Sequence, residues 1–511
     1  MHILLSSLET GISMRYTSTR NSGVSVAASE AICAGISADG GLFVPESLPW
    51  LSYNQIKTMT KADYVSRCAE IVGAFADDFT HADIMSCVSK VYTREKFETD
   101  SITPIYELCD GMYMLELWHG PTCAFKDLAL QLLPRLLTMS SQKLGRGRTS
   151  VILVATSGDT GKAALEGFRD VPGTKIIVFY PENGVSSMQK LQMVTQQGDN
   201  VDVCAIKGNF DDAQAGVKAA FTDKNLISRL AAGNMEFSSA NSINWGRLLP
   251  QIVYYISAYC DLLRNDRISC GEHINIVVPT GNFGNILAAY YAKKMGVPVG
   301  KLICASNSNN VLTDFINTGV YDRNRTFSTT ISPSMDILVS SNLERLLYDL
   351  SGCDDARVKE YMDELARTGR YQVDEAIKTG IDESFWAGWC DDEGTRAAIR
   401  DIYENYSYVC DPHTAVAVNV YRQYMEKTGD TAKTLIASTA SPFKFAGDVL
   451  EAIDGEKPAG DEQRYIDLLV SKAMTPAPRQ ITRLFDMPER FSASCEKDAM
   501  PEYILGALGL R

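Results

Sequence analysis

The chain has 511 residues, too many for one core of typical size, so two or three domains are expected. Hydrophobic residues make up 45%, charged residues 22% and aromatics 9%, an ordinary globular composition that excludes extended disorder. Lys and Arg number 49 against 63 Asp and Glu, and the net charge of −14 excludes a polyanion binder, because nucleic-acid affinity rests on clustered cations.

No run of eighteen apolar residues exists, so no membrane span is expected. Residues 1–5 have no basic stretch and too short an apolar run for a secretory signal, which points to a cytoplasmic protein. The first thirteen residues read as dispensable, and Met14 opens a better beginning. The 13 cysteines never lie closer than ten residues, so no CxxC pair offers a zinc, iron–sulfur or redox site. The 5 histidines are equally dispersed, and no metal site is expected.

Residues 14 to about 100 mix short apolar runs with turn signals such as Asp39-Gly40-Gly41 and then polar helical segments, which suits an N-terminal α+β module. From about 104 a different rhythm begins. Residues 151–155, 174–180, 201–206, 274–278 and 434–437 are short β-branched runs, with helical spacing between the first four, as in Ala163, Ala164 and Phe168. Continuous apolar strands alternating with helices predict parallel sheets covered on both faces, with ligands where loops leave the carboxyl ends of strands. A polar stretch at 455–462 reads as a linker into a C-terminal segment.

Four elements carry chemistry. Trp118-His119-Gly120-Pro121 is followed by an apolar helix with Lys126 in its first turn. Lys126 is either a solvated surface charge or a desolvated amine of lowered pKa able to form a Schiff base; His119 reads as a packed or capping residue. Thr156-Ser157-Gly158-Asp159-Thr160-Gly161-Lys162 is no P-loop, since Thr156 stands where the first glycine belongs and Ala163 follows the lysine. It is either an anion site at a helix N-terminus or a structural N-cap. Gly281-Asn282-Phe283-Gly284-Asn285 follows an apolar strand and precedes a helix, a glycine and asparagine nest suited to phosphate without Lys or Arg. Ser438-Thr439-Ala440-Ser441 ends the late strand, where a hydroxyl either bonds a ligand nitrogen or caps a helix.

A Schiff-base lysine, a phosphate nest and a hydroxyl for a pyridine nitrogen describe a pyridoxal phosphate site. In this arrangement the chain resembles threonine synthase, the longer subgroup within the tryptophan-synthase-β-like enzymes of fold type II. The resemblance runs from Met14 to about Asp448. It rests on residues 16–20, 39–45, 119–122, 125–127, 156–162, 241–245, 281–285, Asp411-Pro412-His413-Thr414-Ala415 and 438–440.

The resemblance implies an α/β fold with two parallel-sheet domains plus the N-terminal module. The module would occupy 14–100 and the catalytic region 101–455, with a smaller subdomain at about 130–240, and a C-terminal segment would fill 456–511. Lys126 would carry pyridoxal 5'-phosphate and shuttle protons at the substrate carbons. Gly281, Asn282, Phe283, Gly284 and Asn285 would cradle the cofactor phosphate, and Thr439 would face the pyridine nitrogen. Ser157, Gly158, Asp159 and Thr160 would grip the substrate carboxylate through backbone and hydroxyl donors, Lys162 its phosphate, and Asn241, Ser242 and Asn244 would line the cleft. The implied reaction, the last step of threonine biosynthesis, converts O-phospho-L-homoserine and water to L-threonine and phosphate, in a monomer or homodimer. The alternative is a phospho-lyase or ammonia-lyase on a related hydroxyamino-acid phosphate. One departure stands out: Ser441 occupies the position where the family usually carries a histidine.

Overall fold

The computed structural model describes residues 13–156, 158–182, 185–473 and 475–510. Two sheets organise it. The larger has six strands in the order Phe385–Trp389, Val299–Ser306, Ile274–Pro279, Thr434–Ser438, Met112–Glu116 and Ile105–Cys109. The first five run parallel and the last is antiparallel. Its two central strands, Ile274–Pro279 and Thr434–Ser438, are buried at every position, as expected of a sheet covered on both faces. The smaller sheet is wholly parallel, in the order Ser494–Cys495, Val201–Ile206, Thr174–Pro181, Thr149–Ala155 and Met235–Ser238.

Helix Trp245–Arg264 is buried from Trp245 to Leu262, which its nearly all-round apolar sequence requires. It packs against helix Gly284–Lys294, against Tyr64–Phe75 of the N-terminal module and against Lys126–Leu130. The module itself is a three-stranded antiparallel sheet centred on Tyr16–Ser18, with helices behind it. Phe75 and Tyr16 both press on Trp245, with ring centroids 5.6 and 5.5 Å away.

Beyond residue 456 the chain serves both sheets. Helix Glu462–Ala473 packs on Ala446–Asp454 beside the larger sheet. Ser494–Cys495 extends the smaller sheet, and helix Met500–Ala507 lies on Phe210–Thr222. A Cβ at Gly216 would stand 2.1 Å from Met500 Sδ, so glycine is what lets the two helices meet. Among the described residues no helix is long and apolar enough to cross a membrane.

Candidate active site

Lys126 opens the short helix Lys126–Leu130, which is hooked to the end of the late strand. Phe125 N donates to Thr439 O at 2.8 Å and Ser441 N to Cys123 O at 3.1 Å, so Lys126 and Thr439 emerge side by side. The buried carboxylate of Asp127 holds the preceding turn, accepting from Thr122 N at 2.8 Å and Thr122 Oγ1 at 2.7 Å. Gly120 is required there because a Cβ would lie 2.6 Å from Asp127 Oδ2. The apolar stretch breaks at Gln131 and resumes as Leu133–Lys143, with Pro134 in its first turn. His119 is paired with Glu116 at 2.7 Å and stacked on Trp118, a packing role.

The Lys126 amine is buried and donates to Ser334 Oγ at 3.1 Å, with Asp159 Oδ2 3.7 Å away. Burial pulls its pKa down to about 8, against the pull of Asp159 and aided by Lys444 and Arg247. Asp159 itself is clasped from three sides. Lys444 Nζ lies 2.6 Å from its Oδ1, Gln189 Nε2 3.2 Å from the same oxygen, and Ser334 Oγ 3.2 Å from Oδ2. Burial alone would raise this carboxyl; Lys444 and Lys126 outweigh it and hold it far below the usual carboxylate range. An anion so placed beside Lys126 is a fixed counter-charge. The Asp159 side chain repels a second carboxylate, which leaves the loop's backbone and hydroxyl donors for any hold on a substrate carboxylate.

The rest of that loop is built by Thr156, whose Oγ1 accepts from Gly158 N and Gly161 N, each at 2.9 Å. Helix Asp159–Phe168 is thus capped by a residue two before its N-cap position. Gln189 covers Gly158 so closely that a Cβ there would lie 2.2 Å from Gln189 Cδ. Thr160, half-buried, stands in the helix's first turn. Ser157 lies outside the described residues. Lys162 is buried, bonded to Gln196 and 3.9 Å from Glu166. Its ammonium already has partners within its own domain, which removes the ground for giving it the substrate phosphate.

Helix Gly284–Lys294 starts at the second turn. Phe283 there is left-handed (φ 60), a conformation costing about 1 kcal/mol for a non-glycine residue, while its ring is buried against Phe385 at 5.7 Å. Only its backbone faces the turn. Gly281 is required because a Cβ would meet Ser334 O at 2.7 Å. Asn285 Oδ1 accepts from the hydroxyls of Tyr254 and Tyr255, the latter at 2.6 Å, and this fixes the amide. Its Nδ2 is left buried with no partner among the described residues. An orphaned donor in the first turn of a helix, beside small-residue turns, fits an anion such as the cofactor phosphate. Asn282 is exposed, with its carbonyl held by Asn342.

Two residues of the site, Ser334 and Arg247, carry no local sequence signal. Ser334 N donates to His413 Nε2 at 3.1 Å, and His413 Nδ1 lies 2.5 Å from Asp411 Oδ2. Accepting at Nε2 places the ring proton on Nδ1, toward Asp411. Arg247 is buried, and its Nη1 donates to Ala240 O at 2.9 Å. Among the described residues no carboxylate lies within ion-pair distance of it. Burial lowers its pKa to about 10, so it stays cationic at neutral pH. Asn244, expected in the cleft, is instead the N-cap of helix Trp245–Arg264. Its Oδ1 accepts from Gly246 N at 2.9 Å, and its Nδ2 donates to Ile32 O and Ser239 O at 3.1 and 3.0 Å. Asn241 is exposed and Ser242 half-buried on the same turn. Ser441 is buried and its Oγ has no partner among the described residues.

A desolvated lysine, a small-residue helix turn with an orphaned buried donor and a buried hydroxyl residue at a sheet's carboxyl edge fit a pyridoxal-phosphate-dependent α/β enzyme. Residues 15–92 match the threonine synthase N terminus, 104–379 the pyridoxal-phosphate dependent enzyme family, and 414–504 the threonine synthase C-terminal family. Threonine synthase of Pseudomonas aeruginosa is 40% identical over 449 residues, 87% of this chain and 92% of that protein. Threonine synthase-like 1 of Homo sapiens is 42% identical over 436 residues, 83% of this chain, which spans only 58% of that relative's length. A solved PLP-bound threonine synthase from Brucella melitensis superposes with a TM-score of 0.86 at 35% identity, covering 97% of this chain and 99% of that one. The chain belongs to the threonine synthase family.

Proposed function

We propose that the protein is a threonine synthase that converts O-phospho-L-homoserine and water to L-threonine and phosphate. The observation that carries this reading is Arg247: a buried guanidinium with no carboxylate within ion-pair distance among the described residues, near enough to Lys126 to lower its pKa. A buried charge is retained at such a site when a ligand supplies its counterion, and a phosphate monoester suits its planar fork.

Pyridoxal phosphate, held by Lys126 and by the 281–285 turn with Asn285 Nδ2, supplies the sink for negative charge left on substrate carbons. Thr439 stands beside Lys126 for the ring nitrogen. Lys126, with a pKa near 8, accepts and returns protons at the substrate α-, β- and γ-carbons. Ser334 steers its amine, and Asp159 stabilises the ammonium formed when a proton is taken. Arg247 binds the phosphate before the γ-carbon–oxygen bond breaks and steadies the anion that leaves. Gly158 and Thr160 border the cleft near the substrate carboxylate, and Asn241 and Ser242 lie on the turn that presents Arg247.

A second reading, a phospho-lyase releasing 2-oxobutanoate, ammonia and phosphate from the same substrate, draws on Ser441, whose buried unpartnered hydroxyl stands at the family's usual histidine position. Product analysis separates the two. Threonine and phosphate in equal amounts support the synthase, and 2-oxobutanoate in place of threonine supports the lyase. Absence of phosphate release overturns both.

A further inference from the structure

The N-terminal motifs 16–20 and 39–45 lie outside the chemistry derived above, yet they are wired into it through one dipeptide. Glu344 and Arg345 sit on helix Leu343–Leu350 and are buried. Glu344 Oε1 accepts from Thr19 Oγ1 at 2.5 Å and Arg20 Nε at 2.8 Å, and its Oε2 pairs with Arg20 Nη2 at 2.7 Å. Thr19 in turn holds Leu42 N through its Oγ1 at 2.8 Å, so both motifs converge here. Arg345 is fully buried, and each of its three nitrogens reaches a different segment. Nε donates to Phe43 O at 3.0 Å, Nη1 to Asn342 Oδ1 at 2.5 Å and Nη2 to Ile243 O at 2.6 Å.

All three acceptors are neutral, and among the described residues no carboxylate lies within ion-pair distance of Arg345. A buried charge so arranged is costly, and its planar fork suits it to fixing several carbonyls at once. Two of the three lead to the active site. Ile243 belongs to the turn that presents Arg247. Asn342 carries its bond onward: its Nδ2 and backbone N both donate to Asn282 O, at 3.0 and 3.2 Å. A trans peptide points its N–H opposite to its C=O. Tethering the Asn282 carbonyl therefore aims the Phe283 N–H the other way and holds the left-handed Phe283 that starts the cradle.

We propose that Arg345 is a positioning residue through which the N-terminal module fixes the cofactor-phosphate cradle and the Arg247 turn in one geometry. This rests on the reading of 281–285 as the cradle.

The test compares the affinity of the full chain for pyridoxal 5'-phosphate and for pyridoxal, which lacks the phosphate, by equilibrium absorbance titration. Arg345→Ala is expected to weaken pyridoxal phosphate binding by about tenfold or more and pyridoxal binding by less than about twofold. Millimolar guanidinium is expected to restore much of the difference, and in the loaded enzyme KM for the phosphorylated substrate is expected to rise more than kcat falls. Asn342→Ala, which removes the acceptor of Arg345 Nη1 and the side-chain bond to Asn282 O but keeps the backbone one, is expected to give a smaller phosphate-selective loss and decides the matter if Arg345→Ala does not fold. Equal weakening of both ligands, or no change in folded variants, overturns the proposal. Gly284→Asp separates this from failure of the cradle reading. If it alters the ratio while the Arg345 and Asn342 variants do not, the positioning role is wrong. If it too leaves the ratio unchanged, the cradle lies elsewhere.

Discussion

Lys444 Nζ lies 2.6 Å from Asp159 Oδ1 although 285 residues separate them in sequence, and the pair joins the turn after the larger sheet's late strand to the start of helix Asp159–Phe168 beside the smaller sheet. Both side chains are buried, 0% and 2% exposed, so water cannot replace either partner. Lys444→Met is expected to cost about 3–5 kcal/mol, because it strands most of a buried carboxylate's counter-charge. Asp159 has its folded-state pKa depressed, so its contribution is present at neutral pH and is lost in acid. The difference between variant and parent, read from chemical denaturation, is therefore expected to shrink as pH falls below about 4.

Cofactor attachment needs Lys126 as a neutral amine. With its pKa lowered to about 8, attachment to the cofactor-free protein is expected to accelerate through pH 8. At pH 7.5 roughly a quarter of the amine is neutral, against about one part in a thousand for an ordinary lysine. Asp159→Asn removes the main anion that favours the ammonium, so the midpoint is expected to move down. Lys444→Met removes a cation that disfavours it, so the midpoint is expected to move up. Stopped-flow absorbance across pH reads both shifts, and a common direction for the two variants contradicts the electrostatic account.

Arg247→Met is expected to raise KM for the phosphorylated substrate by about tenfold to a hundredfold, the worth of a charge-assisted bond in a buried site. Its cofactor absorbance should be retained. Lys162→Met is expected to lower thermal stability, since it removes one of the two cations beside the mostly buried Glu166 and leaves Gln196 Oε1 without its donor, while leaving KM within about twofold. The reverse pattern in steady-state kinetics would return the phosphate to Lys162.

Gly281→Ala places a methyl 2.7 Å from the Ser334 carbonyl, which must shift. Overpacking of this kind costs about 1–3 kcal/mol. Because Ser334 Oγ holds the Lys126 amine, the variant is expected to lose activity beyond its loss of stability. Activity assayed well below the unfolding midpoint separates the two effects.

The parallel-sheet architecture is legible in the sequence where strands are unbroken apolar runs, as at Ile274–Pro279 and Thr434–Ser438. Val299–Ser306 is a strand too, but Gly300 and Lys301 interrupt its apolar pattern and hide it. Lys126 and the 281–285 turn announce themselves because their chemistry depends on residues adjacent in sequence. Lys444, Arg247, Ser334 and Arg345 do not, because a lone cation or hydroxyl on a helix or turn looks like a solvated surface group until its partner arrives from a distant segment. Asn244 and Lys162 show the converse. Each stands in a segment carrying site motifs, while its side chain is engaged by Ile32 and Ser239 in one case and by Gln196 in the other.

In the proposed reaction the site breaks the γ-carbon–oxygen bond of a phosphorylated amino acid and places water's oxygen on the β-carbon. Turnover of O-phospho-L-homoserine in 18O-labelled water, followed by mass spectrometry of both products, tests it most directly. The predicted result is one labelled oxygen in the threonine hydroxyl and none in the released phosphate. Label in the phosphate, with homoserine as the other product, would show hydrolysis at phosphorus and contradict the account.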